Sequence, residues 1–181
     1  MIEMHHNHEP EALRKYRHDN PGANWQTENF QPVKELIRHA LHQEQEALCV
    51  YCEQKVDKDG GHLEHIKPKE KFPAQTFVYD NLAHSCNGPK HCGHLKQGQE
   101  LSIEPRPGCN RYFELMAWDG KLVPAAGLTE VEKQQAAETI NTILGLNVPK
   151  LTRQRQQFAR IIQSLATPQE ITEFLQTAPF R

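Results

Sequence analysis

The chain has 181 residues, 37% of them hydrophobic and 24% charged, with a net charge of −2 when its 11 histidines are neutral. That length suits one domain with extensions or two small ones, and the near balance of charge excludes a global basic field of the kind that gathers nucleic acid. No apolar run is long enough to cross a bilayer, and the start, MIEMHHNHEPE, lacks the apolar core of a signal peptide. A cytoplasmic protein is therefore expected, where paired cysteines favour metal over disulfide.

In chain order, residues 1–47 read as an arm and a helix. Pro10 precedes a short predicted helix over 11–18, and Trp25 and Phe30 are apolar anchors in the irregular segment that follows. The His5-His6-x-His8 cluster reads as a polar surface turn, and Arg14, Lys15 and Arg17 as a solvated face or a docking patch. Val33, Leu36, Ile37, Ala40, Leu41 and Leu48 recur at helical spacing, so a helix is expected from Pro32 to about 47, with the proline in its first turn. Residues 49–56 should form a knuckle and a short strand. Asp57-Lys58-Asp59-Gly60-Gly61 is a turn by composition, and 62–66 the returning strand of a hairpin.

A loop with Lys67, Lys69 and Lys71 leads to Asp80-Asn81-Leu82, and a short helix is expected from about Cys92. After a Gly/Pro-rich link, 112–118 and 121–123 flank Asp119-Gly120 as a second hairpin. Thr129 with Glu132 has the spacing of a capping box, opening a helix to about 144. Pro149 breaks that pattern. An amphipathic helix over 150–165 carries a basic ridge of Lys150, Arg153, Arg155 and Arg160, and Thr167-Pro168-x-Glu170 opens a last helix. The fold class is α+β, divided as 1–47, 48–100 and 101–181.

The chemistry is concentrated in the middle stretch. Cys49-x2-Cys52 and Cys86-x5-Cys92 bracket a closed loop, a spacing that suits four thiolates on one structural Zn2+. Cys109 is left over, in loop-like surroundings, as a free thiol. Between the pairs lie acid, imidazole and carboxamide. An isolated Glu-His dipeptide would read as a surface ion pair. Placed between cysteine pairs, it reads as a nuclease site.

These residues resemble the HNH endonuclease superfamily: Cys49-x2-Cys52, Glu64-His65-Ile66-Lys67-Pro68, Asp80-Asn81-Leu82, Ser85-Cys86 and Cys92-Gly93-His94-Leu95-Lys96. The opening (Glu9-Pro10, Leu13, Tyr16-Arg17, Asn24-Trp25) and Glu44-Gln45 look like the HNH proteins of retrons and of Septu-type anti-phage systems. Two departures are the five-residue spacer of the second cysteine pair and Gly93 directly after Cys92, with His94 one place later. The resemblance implies a zinc-stabilised ββα-metal core over 48–100.

Within such a core His65 is the expected general base, because imidazole titrates near working pH. Asn81 would accept a hydrogen bond from one ring nitrogen and leave the other free. Glu64 would bind a hard divalent cation, Mg2+ or another, with His94 rather than Asp80 completing its shell. Lys67, Lys69, Lys71 and Lys96 are candidate phosphate contacts. His62, His84 and His91 are expected at the polar surface or behind the ligands. The resemblance further implies a nucleic-acid substrate, DNA or RNA, and a defence complex with an ABC/SMC-like ATPase subunit. A retron reverse transcriptase and its RNA–DNA hybrid are further implied partners. The rival reading is a zinc-stabilised adaptor that binds nucleic acid or protein without cutting.

Overall fold

A computed structural model describes residues 1–180, the side chain of Thr177 excepted. Helix α1 (Glu11–Asp19) follows Pro10 and buries Leu13 and Tyr16. Tyr16 packs against Phe30, and Phe30 in turn against Trp25 and Phe77, with ring centroids 4.5, 4.9 and 5.1 Å apart. The two expected anchors therefore close the N-terminal segment onto the loop that follows the lysines. His6 departs from the surface turn expected of it. Its side chain is 5% exposed, bonds Glu44 at 3.0 Å and packs at a tilt against the ring of Tyr79.

Helix α2 (Gln31–Glu44) carries Pro32 in its first turn and buries Ile37 and Leu41, but Leu36, placed by spacing on the apolar face, is exposed. The helix stops before 47 because Glu46 and Ala47 take positive φ, turning the chain into the cysteine knuckle. Gln45 fixes that turn from inside. Its buried amide donates to the carbonyls of Leu48 and His84 and accepts from the His84 N–H, at 2.7–2.8 Å.

The expected hairpin of 49–56 with 62–66 is not formed. Around the knuckle there is one isolated bridge, Leu48 to Lys55, and Glu53 sits at positive φ, which no extended strand tolerates. Instead β1 (His62–His65) pairs antiparallel with β2 (Leu82–Ser85), register Glu64 to Ala83 and His65 to Leu82. The lysine loop thus becomes the connection inside this ribbon. Every residue of β2 is buried, and it rather than the equally buried knuckle supplies the partner strand. Helix α3 (Gly93–Lys96) follows the second cysteine pair.

The second ribbon, β3 (Phe113–Met116) with β4 (Lys121–Pro124), forms where Asp119-Gly120 marks the turn. Helix α4 (Glu130–Glu138) opens on the complete capping box of Thr129 and Glu132. It then widens into a π turn over Thr139–Ile143, and the Leu144 carbonyl beyond it accepts from the Cys92 N–H at 2.8 Å. Pro149 does not end a helix but begins α5 (Pro149–Ser164), and α6 (Pro168–Thr177) starts on a second capping box. Arg155 leaves the expected basic ridge. It is buried, and its guanidinium donates to the Leu146 carbonyl at 2.7 Å. One apolar cluster includes residues from Leu13 to Leu151, so arm, knuckle and C-terminal helices share a core. Among the described residues no helix is long and apolar enough to cross a membrane.

Candidate functional site

The four expected zinc ligands meet. The Sγ atoms of Cys49, Cys52, Cys86 and Cys92 all lie within 4.8 Å of one another, three of the cysteines are buried, and none is in a disulfide. Cys52 and Cys86 are 3.8 Å apart. Four thiolates at 2.3 Å from one tetrahedral ion would be separated by about 3.8 Å, so the donor set and spacing fit Zn2+. Among the described residues no other group of three His, Cys, Asp or Glu converges so closely. Protons are shared unequally here. Hydrogen bonds from Cys49, then Cys52 and Cys92, pull the Cys86 thiol far down, whereas burial pushes Cys92 up. A cation removes that competition.

The elements explain the convergence. Positive φ at Ala47 and Glu53 folds the first pair back on itself, and the Cys86 N–H donates to Cys49 Sγ at 3.3 Å. Cys92 itself sits at φ 58°, ψ −142°, a region that costs a non-glycine residue about 1–3 kcal/mol. The five-residue spacer brings the His91 ring onto the sulfurs, Nδ1 3.1 Å from Cys92 and 3.8 Å from Cys86. Gly88 permits this, since a Cβ there would fall 2.1 Å from the His91 ring. His91 is thus behind the ligands, as expected. Cys109 lies apart from them, buried, its thiol pushed up to about 11 by that burial.

Beside the sulfurs opens a cleft of about 520 Å3 whose wall includes Trp25, His62, Glu64, His65 and His94. The two catalytic candidates at 64 and 65 therefore border one space, although neighbouring strand residues alternate in direction. His65 Nε2 donates to the Thr76 carbonyl at 3.0 Å, and its ring meets the edge of Trp25 at a centroid distance of 4.4 Å. Burial holds this imidazole below its ordinary value, with the bond to Thr76 opposing.

Asn81 does not orient His65 as expected. Its Oδ1 accepts from the Lys67 N–H at 2.8 Å, and its Nδ2 donates to the carbonyls of Lys67 and Gln75 at 3.0 and 3.2 Å. All three of these bonds clamp the two ends of the lysine loop, because the 3-10 turn over Tyr79–Asn81 holds the residue beneath that loop. The carbonyl of Thr76, on the clamped loop, orients the ring instead.

Glu64 is buried, and its two oxygens face different partners. Its Oε1 accepts from Lys96 Nζ at 2.8 Å and from the Tyr51 hydroxyl at 3.3 Å, and its Oε2 faces His62 Nε2 at 3.3 Å. Burial opposes ionisation here, but the hydrogen bond from His62 and the charge of Lys96 hold the carboxyl below the usual range. Lys96 is fully buried and also donates to the His65 carbonyl at 2.8 Å, so it is not free to meet phosphate. The other three lysines meet carboxylates: Lys67 with Glu104 at 3.8 Å, Lys69 with Glu70 at 2.7 Å, Lys71 with Glu100 at 2.9 Å.

His94 is exposed, its Nε2 3.4 Å from Asn87 and its ring 4.8 Å from that of His62, whereas Asp80 is exposed on the turn before β2. Two roles were not foreseen from the residues: His62 bonded to Glu64, and Trp25 against His65. The first follows from i, i+2 spacing on a strand. The second joins positions 40 residues apart and has no sequence signal.

Four converging thiols beside an acid-and-imidazole strand define an α+β protein able to hold a metal such as zinc. No family model matches the chain. It is 38% identical over 178 residues, 91% of its own length and 86% of the relative's, to a protein of Vibrio cholerae serotype O1 biovar El Tor named "Retron Vc95 putative HNH endonuclease". The chain belongs to this family of retron-associated HNH endonucleases, which supports a nuclease role.

Proposed function

We propose that the protein is a metal-dependent endonuclease that hydrolyses phosphodiester bonds in nucleic acid, with β1, β2 and α3 acting as a ββα-metal core stapled by zinc on the four cysteines. The observation that carries this reading is the bond from His65 Nε2 to the Thr76 carbonyl. A carbonyl only accepts, so the proton sits on Nε2 and Nδ1 keeps its lone pair. Nδ1 can then take a proton from a water attacking in line with the leaving oxygen. Trp25 limits the ring's rotation and its access to water, and Asn81 acts one step back as a positioning residue for the loop that bears Thr76.

Glu64 is the carboxylate that would hold a catalytic divalent cation, Mg2+ or another, with His94 at the start of α3 nearby. Such an ion, when bound, neutralises charge developing on the phosphate and leaving oxygen. The chain works, on this reading, as the effector of an anti-phage complex containing an ATPase subunit and a retron reverse transcriptase with its RNA–DNA hybrid. The acid-paired lysines fit a nuclease whose substrate is presented by partners.

They also favour the rival, a zinc-stabilised adaptor that does not cut. His65→Ala, assayed in the assembled complex for zinc content, partner binding and cleavage, separates the two. Zinc and partner binding should persist while cleavage falls by at least the 10²–10⁴-fold ascribed to a general base. Unchanged cleavage or defence would sink the endonuclease reading.

A further inference from the structure

We infer that His62 is a ligand of the catalytic divalent ion beside Glu64, and that the site selects a transition-metal ion over Mg2+. The inference rests on the endonuclease reading above and assigns a residue and an ion class to its metal. His62 and Glu64 are two apart on β1, so their side chains leave the same face of the ribbon. Glu64 has only one oxygen to offer, because Lys96 and Tyr51 hold Oε1. The other, Oε2, lies 3.3 Å from His62 Nε2. Two donors each about 2.0–2.1 Å from one ion in tetrahedral to octahedral geometry are separated by about 3.0–3.4 Å, so this pair is already at coordinating distance.

His62 is also prepared as a ligand. Its other nitrogen, Nδ1, is 3.2 Å from the Asn87 side-chain carbonyl, a bond that would hold the ring once a metal ion replaces the proton now shared between Nε2 and Glu64. Asn87 belongs to the spacer between Cys86 and Cys92, so the zinc loop and the second site are built together. Opposite the pair stands Gly93, where a Cβ would fall 2.4 Å from Glu64 Oε2 and 2.5 Å from His62 Nε2. Any other side chain at the start of α3 would push into both donors. An imidazole paired with one carboxylate oxygen suits Mn2+, Co2+, Ni2+ or Zn2+, whereas Mg2+ favours an all-oxygen shell.

The test uses the full chain with its four cysteines zinc-loaded, titrated with Ni2+ or Mg2+ in a calorimeter. Wild type should bind one further Ni2+, and bind it more tightly than Mg2+. His62→Gln should weaken Ni2+ by more than about tenfold with zinc content unchanged. Gly93→Ala, which removes no donor, should weaken it as well. Normal Ni2+ affinity in His62→Gln, or tighter Mg2+ than Ni2+ in wild type, would overturn the inference. Retention of Ni2+ by Gly93→Ala would count against it equally. The endonuclease reading fails separately: cleavage surviving His65→Ala would sink it and leave the Ni2+ result standing.

Discussion

Residue by residue, partners in the cleft take one atom of each candidate side chain. Thr76 takes one nitrogen of His65, and Lys96 with Tyr51 takes one oxygen of Glu64. Burial under Trp25 has a measurable consequence for the imidazole. Its folded value lies below the ordinary 6.5, so the neutral, proton-accepting form survives to lower pH than a free histidine allows. Activity should therefore fall only as pH drops through a point below 6.5, read as the acid limb of kcat/KM against pH. Trp25→Leu opens the ring to water and should move that limb up towards the ordinary value. A limb at or above 6.5 in wild type, or one that Trp25→Leu leaves in place, would contradict the account.

Between elements, the decisive tie is the Lys96 ammonium, which reaches from α3 to both Glu64 and the backbone of His65. It fastens a four-residue helix, too short to be stable alone, to a four-residue strand. Removing one partner of a buried ion pair costs about 3–5 kcal/mol, because the other charge is left without compensation. Lys96→Met, which keeps most of the stem volume, should lower stability by that amount in denaturant titrations without added divalent ion. Adding Glu64→Gln should recover part of it, since the stranded charge is then gone. A loss below about 1 kcal/mol would mean that the tie does not hold β1 to α3. The same chemistry explains why the helix is not a phosphate grip: a lysine spent inside cannot also act outside.

For the whole molecule, the net charge of −2 and the pairing of Lys67, Lys69 and Lys71 with Glu104, Glu70 and Glu100 point the same way. The chain alone should bind nucleic acid weakly. Each phosphate contact contributes about 0.9 to the slope of log affinity against log salt. Replacing Glu100 and Glu104 by glutamine frees Lys71 and Lys67, so affinity for a random duplex should rise and the slope steepen by about two. Filter binding across a salt series reads both. Unchanged slope would mean that these lysines do not face the backbone.

What could be read without coordinates was whatever is local in the chain. Cysteine spacing marked the four thiols, because two short ligand pairs are each preorganised by their own turn. The capping boxes at Thr129 and Thr167, the Asp119-Gly120 turn and the helical spacing of Ile37 and Leu41 are local in the same sense, and each lies where expected. Tertiary structure alone decided the pairing of β1 with β2 across the lysine loop, the diversion of Asn81 to that loop, and the burial of Lys96 and Arg155. It also brought Trp25 to His65. Each of these depends on which distant group competes for a donor or a face, and residue spacing carries no information about a competitor that arrives from elsewhere in the fold.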